Sequence, residues 1–286
     1  MVVNAVAGAA APLMQTFARV RAGNPWLQVH IEAPRNCPVC DLAALLDDDS
    51  LIRDEQFALM PKHYGTDDPD ILARFYFGSF CYMLASATVS AFAVDRRAPV
   101  LHPERLRVAL GSTGRPEALV LPDAAFWCLP DDPAAGHPDA RVIADEATLR
   151  ALLLDRLSEM FALMIAVTRR RARVGARALW ISAAETCAST LVDGLPPEVT
   201  QEQAQAAVQT LIGTPGVPLR AKPEVITLHA AGRPRLMLLG DDCCTNFKIP
   251  GETYCESCPH LPREQRIASL QTWWEGQVAE AADSAR

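Results

Sequence analysis

The chain has 286 residues, which is enough to bury a substantial core as one large domain or two small ones. Half of the residues are hydrophobic and 21% are charged, which is ordinary for a soluble globular protein. The formal net charge of −7 argues against nucleic acid as a partner, because phosphate binding needs a net basic surface.

The cysteines and the N-terminus bear on the cellular compartment. Nine cysteines are present, an odd number with one adjacent pair and no regular spacing, which favours a reducing compartment over a disulfide scaffold. The first basic residue is Arg19, so the N-terminus lacks the positive start of a secretory signal. The sequence therefore predicts a cytoplasmic protein.

A short amphipathic helix is predicted at residues 11–22, and a Cys-x2-Cys pair follows it at Cys37 and Cys40. Without a surrounding βαβ pattern the pair is a weak indication of thioredoxin-like chemistry, and two loop or helix-cap cysteines are favoured. A zinc site built from Cys37, Cys40, Cys255 and Cys258 is an alternative. It ranks below the iron–sulfur hypothesis developed below, because it leaves two other cysteines unused.

A long helix is predicted at residues 69–95. The run from Phe75 to Val94 carries no charge and is long enough to span a bilayer. It is rich in Ser, Ala and Gly and poor in Leu and Ile, which makes it a poor membrane anchor. We therefore expect a helix that is buried on most sides inside a soluble protein.

Hydrophobic periodicity predicts the elements that follow. Short strands are expected at 106–110 and 118–121, with 126–128 extending the same small sheet. Helices are expected at 146–172, 176–191 and 201–212. The first of these ends in an arginine-rich run, 169–173, which favours a solvated helix C-terminus over an anion-binding patch.

The C-terminal part is predicted to form a β-hairpin from 225–230 and 236–239, then a cysteine-rich segment, then a helix after Pro262. The predicted fold class is α+β: mostly helical, with a small antiparallel sheet and a C-terminal hairpin-plus-helix segment. We expect residues 1–222 to form the larger domain and residues 223–286 to form the C-terminal segment.

Four cysteines fall within sixteen residues, Cys243, Cys244, Cys255 and Cys258, in the pattern C-C-x10-C-x2-C. Adjacent cysteines in an extended backbone point to opposite sides, so a centre with more than one metal suits them better than a single ion. A [2Fe–2S] cluster takes four thiolates, two for each iron. A Pro-Gly turn at 250–251 can fold the second pair back toward the first.

This spacing resembles the C-terminal cluster motif of the FhuF family, the bacterial ferric-siderophore reductases. The family's long spacer carries an R-L-P-like segment and Pro often follows the last cysteine; here these are Phe247-Lys248-Ile249-Pro250 and Pro259. The resemblance covers residues 240–274. One departure is Asp241-Asp242, where the family has basic residues. We expect the two carboxylates to lower the cluster potential, because they disfavour the more negative reduced state.

The resemblance implies a [2Fe–2S] cluster on Cys243, Cys244, Cys255 and Cys258 that passes one electron to the Fe(III) of a siderophore. A hydroxamate siderophore is expected, since hard oxygen donors hold Fe(III) far better than Fe(II) and reduction then releases the iron. The implied partners are the ferric siderophore and an unidentified electron donor. The implied location is cytoplasmic, with peripheral association with the inner membrane left open.

Two other functions remain open at this point. The first is an electron-carrier protein with the same cluster but no chelate pocket, and the second is a zinc-stapled binding protein. No Rossmann or Walker fingerprint is present, so nothing in the sequence indicates NAD or ATP binding. No catalytic carboxylate or Ser/His constellation is evident, and one-electron transfer needs none.

Overall fold

The computed structural model describes residues 11–23, 29–30, 33–35, 37–47, 49–121 and 123–284. The start of the chain, residues 1–10, on which most of the secretory-signal prediction rests, lies outside these residues. The described chain is mostly helical with three small sheets, which confirms the predicted α+β class. The division at residue 222 stays a prediction.

Eight α-helices are present in the described residues. They are α1 (Pro12–Gly23), α2 (Leu42–Leu46), α3 (Leu51–Tyr64), α4 (Pro69–Asp95), α5 (Glu146–Arg171), α6 (Ala176–Gly194), α7 (Gln201–Ile212) and α8 (Arg263–Ser284). The six helices predicted at 11–22, 69–95, 146–172, 176–191, 201–212 and after Pro262 are all confirmed. The sequence missed α3, whose buried face carries Arg53, Gln56 and Met60 and therefore lacks an apolar period.

Within the part of the chain that the structure describes, nine short strands form three sheets. They are β1 (Val29–His30), β2 (Val39–Asp41), β3 (Ala98–Pro99), β4 (Arg107–Leu110), β5 (Pro116–Val120), β6 (Phe126–Cys128), β7 (Ala140–Val142), β8 (Glu224–Ala230) and β9 (Arg233–Leu239). One sheet has the order β1-β5-β4-β2, with β1 parallel to β5 and the other pairs antiparallel. A second has the order β3-β6-β7, with β6 parallel to β7.

The predicted sheet is therefore wrong in one respect. Residues 126–128 do not extend the β4–β5 sheet; they pair with β3 and β7 in a sheet of their own. Alternating hydrophobicity shows that a segment is a strand but does not say which strand it pairs with. The predicted hairpin is confirmed as β8–β9, a two-stranded antiparallel sheet.

Helix α4 runs through the middle of the protein. It begins at Pro69, where the Asp68 carboxylate accepts hydrogen bonds from two backbone N–H groups of the first turn, and it ends where Arg96 adopts a left-handed conformation. By length and composition it could span a membrane, yet 72% of its most apolar stretch is buried inside the protein. Its many Ala and Ser residues leave space for α6, whose last residue, Gly194, would place an added Cβ 2.8 Å from Ala93 Cβ.

One residue of the arginine-rich end of α5, Arg171, contacts helix α3. The Arg171 guanidinium pairs with the Asp54 carboxylate on α3 and lies 5.9 Å from the centre of the Phe57 ring. An Arg over an aromatic face gains cation–π attraction in addition to its ion pair. At Arg171 the run therefore joins two helices, and it is not an open anion patch there.

The C-terminal hairpin has two packed faces. Val225 belongs to the main core, where β8 lies against α7 and β9 against α6. The other face carries Ile226, Leu228 and Leu239, which pack with Leu270 of α8 in a small separate cluster. Helix α8 thus covers the outer side of the hairpin, so the cysteine segment between β9 and α8 is held at both ends.

Candidate metal centre

The backbone that leads into the cysteine doublet is held by a carboxylate of α6. The Glu185 carboxylate accepts hydrogen bonds from the backbone N–H of Asp241 at 2.7 Å and of Asp242 at 2.9 Å. Glu185 is only 8% exposed. Burial raises its pKa above the ordinary value, and the two N–H bonds act in the opposite direction. An acidic side chain of α6 therefore fixes where the doublet begins.

Gly240 makes this close approach possible. A Cβ added at position 240 would lie 1.9 Å from Oε2 of Glu185, so any other residue would displace the carboxylate. The strand β9 ends at Leu239, directly before this glycine. The end of β9 and the buried Glu185 carboxylate together determine where the backbone before Cys243 lies.

The spacer between the two cysteine pairs is folded by local turns. Thr245 adopts a left-handed conformation with φ of 63°, and a short 3-10 helix follows at Asn246–Lys248. Gly251 has φ of 89° in the turn at 250–251, which confirms the turn predicted for the Pro-Gly pair. A further turn, in which Cys258 N–H donates to the carbonyl of Cys255, folds the Cys-x2-Cys pair.

An aromatic group holds the spacer in shape. The Phe247 ring lies 5.0 Å from the rings of both Tyr254 and His260, measured between ring centres. Aromatic pairs at this separation attract each other beyond the area that they bury. The imidazole of His260 is therefore part of the packing around the spacer.

The sulfur atoms of the two cysteine pairs meet between these turns. Sγ of Cys244 lies 4.0 Å from Sγ of Cys255. Two thiolates on one tetrahedral metal, with bonds of about 2.3 Å, would be about 3.8 Å apart. Cys258, which is buried at 1% exposure, lies close enough to Cys243 to raise the pKa of the Cys243 thiol. The fold therefore brings Cys244 and Cys255 together, and the set of four ligands stays a prediction.

Two of the thiols, Cys243 and Cys255, resist ionisation in this environment. Burial, followed by the neighbouring Cys244 thiol, raises the pKa of Cys255 to about 12. Burial also raises the pKa of Cys243. Several thiolates at such short range need a nearby positive charge, which a bound metal centre provides, and metal binding then releases the protons. The donor set thus fits a thiolate-bound cluster.

Two arginines from distant helices bind the backbone of the cysteine segment. Nη1 of Arg74, on α4, donates to the carbonyl of Cys243 at 3.0 Å and lies 3.9 Å from the Asp242 carboxylate. Arg266, on α8 and 7% exposed, donates from Nε to the carbonyl of Ser257 at 3.0 Å and from Nη2 to the carbonyl of Gly240. Arg266 thus ties the Cys-x2-Cys turn to Gly240, three residues before the doublet.

The two aspartates before the doublet differ in environment. Asp242 is half-buried, and burial raises its pKa, while the hydrogen bond to Ser182 and the charge of Arg74 act in the opposite direction. Asp241 is exposed. The sequence predicts that both carboxylates lower the cluster potential, and the positive charge of Arg74 lies beside one of them, Asp242. The buried carboxylate of Glu185 is a third acidic group near the doublet.

A cavity of about 660 Å³ opens onto the cysteines. Cys243, Cys244 and Cys255 line one side of it. Aromatic and basic side chains also line the cavity, among them Tyr64, Arg74, Phe75, Tyr82 and Arg115. A cavity of this size is typical of a small-molecule site. Because three of the cysteines line it, a ligand in the cavity would lie beside them.

The remaining five cysteines lie elsewhere. Cys81 and Cys187 are fully buried, which confirms their predicted role as small core residues. Cys37 donates from Sγ to the carbonyl of Leu110 at 3.2 Å, and Cys40 lies in β2. Neither has a described contact with Cys255 or Cys258, so the structure lends no support to the zinc alternative.

Within the described residues, no group of three or more Cys, His, Asp and Glu side chains is placed to hold a single metal ion. This holds for the four C-terminal cysteines as well as for Cys37 and Cys40. Three observations favour a shared metal centre. Sγ of Cys244 lies 4.0 Å from Sγ of Cys255, Cys258 raises the pKa of Cys243, and Cys243, Cys244 and Cys255 line the same cavity.

Sequence reasoning missed three residues that position the site, namely Arg74, Glu185 and Arg266. Glu185 left a readable signal, because it is the only charged residue between Arg177 and Asp193 in a helix that is otherwise apolar and small. A lone charge on such a face is rarely buried without a partner. The sequence gives no indication that this partner is backbone more than fifty residues away.

Comparison with known proteins supports the resemblance from an independent part of the chain. No curated protein matches the chain at a significant level. A family model described as "Ferric iron reductase FhuF-like transporter" matches residues 74–223. The match includes Arg74 and Glu185 but ends before the four cysteines, so it does not bear on the cluster motif. Because it spans more than half of the chain, the protein belongs to the FhuF-like ferric iron reductase family.

Proposed function

We propose that this protein reduces the Fe(III) of a siderophore complex through a [2Fe–2S] cluster held by Cys243, Cys244, Cys255 and Cys258. The observation that carries the proposal is the cavity of about 660 Å³ that has three of these cysteines in its wall. An electron-carrier protein would need no such cavity beside its cluster. A bound cluster would supply electrons one at a time.

The charges that line the cavity support a hydroxamate siderophore. Two arginines, Arg74 and Arg115, are balanced by two carboxylates, Glu117 and Asp242. A ferric trihydroxamate is neutral, since its three ligand charges cancel those of Fe(III). A nearly neutral cavity with aromatic walls suits such a complex better than a highly charged one.

The residues around the cysteines would hold the cluster and set its potential. Arg74 and Arg266 place positive charge against the two cysteine-bearing turns, which favours the reduced, more negative state. The N–H of Asn246, 3.4 Å from Sγ of Cys244, acts in the same direction. Glu185 and Asp242 oppose them. We infer that this balance decides whether the cluster can reduce the ferric complex.

The first experiment is a visible spectrum with iron and sulfide content, measured on protein purified without oxygen. An absorbing protein with iron and sulfide in equal amounts is expected, while a colourless zinc protein would refute the cluster. Reduction of a ferric trihydroxamate by the dithionite-reduced protein, followed with a ferrous trap, then separates a reductase from an electron carrier.

Single Cys→Ser variants test the ligands. Cys244→Ser should lose or severely destabilise the cluster, and the same is expected at positions 243, 255 and 258. Cys128→Ser is the matched control. It makes the same change of side chain, but Cys128 lies in β6, outside the C-terminal cysteine segment. Full cluster retention in Cys244→Ser would show that the doublet is not a ligand pair.

A further inference from the structure

A second, larger cavity of about 1000 Å³ lies between α6, α7 and the segment that follows α7. Helix α6 borders both cavities, but with different faces: Leu179 and Ser182 face the cysteine cavity, whereas Trp180 and Ile181 line the second one. At 3.6 residues per turn, these two pairs lie on different sides of the helix. The second cavity, called the α6–α7 groove below, is thus separate from the proposed chelate site.

Three cations surround the α6–α7 groove, namely Arg177, Arg220 and Lys222. All three are exposed, and none of them has a partner among the ion pairs that the described residues form. Elsewhere on the protein many arginines are paired with carboxylates, as Arg263 is with Glu224. Unpaired guanidinium groups at the edge of a cavity are suited to bind a phosphate or carboxylate in a bidentate manner.

The groove is also lined by apolar side chains. Trp180 is half-buried in its wall, and Ile181 and Ile212 add aliphatic surface beside it. An exposed indole face favours a planar ring through stacking and hydrophobic contact. The groove therefore combines a surface for an aromatic ring with cations for an anionic group.

The basic residue Arg177 and the acidic residue Glu185 line the groove at different positions along α6. Arg177 lies eight residues before Glu185, which corresponds to about 12 Å along the helix axis. Asp241 joins Glu185 at that second end, two residues before Cys243. The acidic end repels anions, so an anionic group belongs at the Arg177 end. A ligand whose anionic group lies at one end and whose uncharged ring lies at the other therefore matches the charges of the groove. A compact ligand that is charged throughout does not, because part of its charge would face Glu185 and Asp241.

We propose that the α6–α7 groove binds a small molecule in which a phosphate group is joined to a planar aromatic ring, as in flavin mononucleotide. Arg177 binds the phosphate, and Trp180 packs against the ring. The site lies beside the backbone that Glu185 fixes ahead of the cysteine doublet. The proposal concerns binding only, so it does not depend on the cluster or on the reduction of iron.

Titration of the purified protein with flavin mononucleotide and with riboflavin, followed by flavin fluorescence, tests the proposal. The two probes share the ring, and only the first carries a phosphate. We expect saturable quenching by flavin mononucleotide and binding of riboflavin that is at least about tenfold weaker, since a charged hydrogen bond is worth about 1.5 kcal/mol or more.

Variants assign the binding to the groove. Arg177→Gln should weaken the binding of flavin mononucleotide about tenfold and leave riboflavin unaffected, whereas Trp180→Leu should weaken both. Arg141→Gln is the matched control, because Arg141 is also exposed but lies in β7. Absence of binding, equal affinity for both probes, equal loss in Arg177→Gln and Arg141→Gln, or displacement of the flavin by a ferric trihydroxamate would each overturn the proposal.

Discussion

Glu185 offers the most direct test of how the cysteine doublet is positioned. Its carboxylate accepts two backbone N–H bonds, at 2.7 and 2.9 Å, from the residues that precede Cys243. In Glu185→Gln one acceptor oxygen becomes an NH2 group, which faces an N–H donor and cannot bond to it. The variant keeps the size of the side chain, so the change isolates one hydrogen bond and one charge.

The expected loss follows from the burial of the site. A hydrogen bond to a charged group contributes about 1.5 to 3 kcal/mol, and Glu185 is 8% exposed, so solvent does not replace the lost bond. With a urea dependence of about 3 kcal/mol per M, the midpoint of unfolding should fall by about 0.5 to 1 M. Iron and sulfide content should fall as well, because the doublet is no longer held in place.

The matched control is Glu159→Gln on α5. Glu159 pairs with Arg156 at 3.0 Å, but both side chains are exposed. Exposed pairs of this kind contribute little, so its midpoint should stay within about 0.2 M of the wild type. If Glu185→Gln unfolds at the same urea concentration as Glu159→Gln and keeps its full iron content, the carboxylate does not position the doublet.

Three further predictions follow from charge and burial. Changing Asp241 and Asp242 together to Asn should raise the cluster potential by roughly 50 mV in a mediated redox titration, because two negative charges beside the doublet are removed. An unchanged potential would contradict this. Cell fractionation should leave the protein in the soluble phase or let high salt wash it from membranes, because α4 is buried; release by detergent alone would make α4 a membrane span. Burial alone would raise the pKa of Asp132, but its hydrogen bonds from Arg97 and the backbone lower it below the ordinary 3.8. Asp132→Asn should therefore cost about 3 kcal/mol in urea unfolding at neutral pH, and the difference should vanish as the pH falls below 3.8 through the lowered pKa; a constant difference would contradict the pairing.

The sequence by itself determined the elements whose causes are local. Helix α4 begins and ends where predicted, because the Asp-Pro start and the charged end of an uncharged run are signals within the segment. Helix α7 does so as well, with a capping box between Thr200 and Gln203. The Pro-Gly turn lies where predicted, and Cys244 and Cys255, one from each predicted pair, lie 4.0 Å apart between their sulfur atoms.

Only the tertiary structure decided which distant groups meet. Glu185 binds backbone 56 and 57 positions further along the chain, and Arg74 reaches the carbonyl of Cys243 across 169 positions. Such contacts arise when α4, α6 and the hairpin pack together, and no local periodicity encodes them. The same reason explains why β6 joined a different sheet from the one predicted and why both cavities, which several elements line, could not be foreseen.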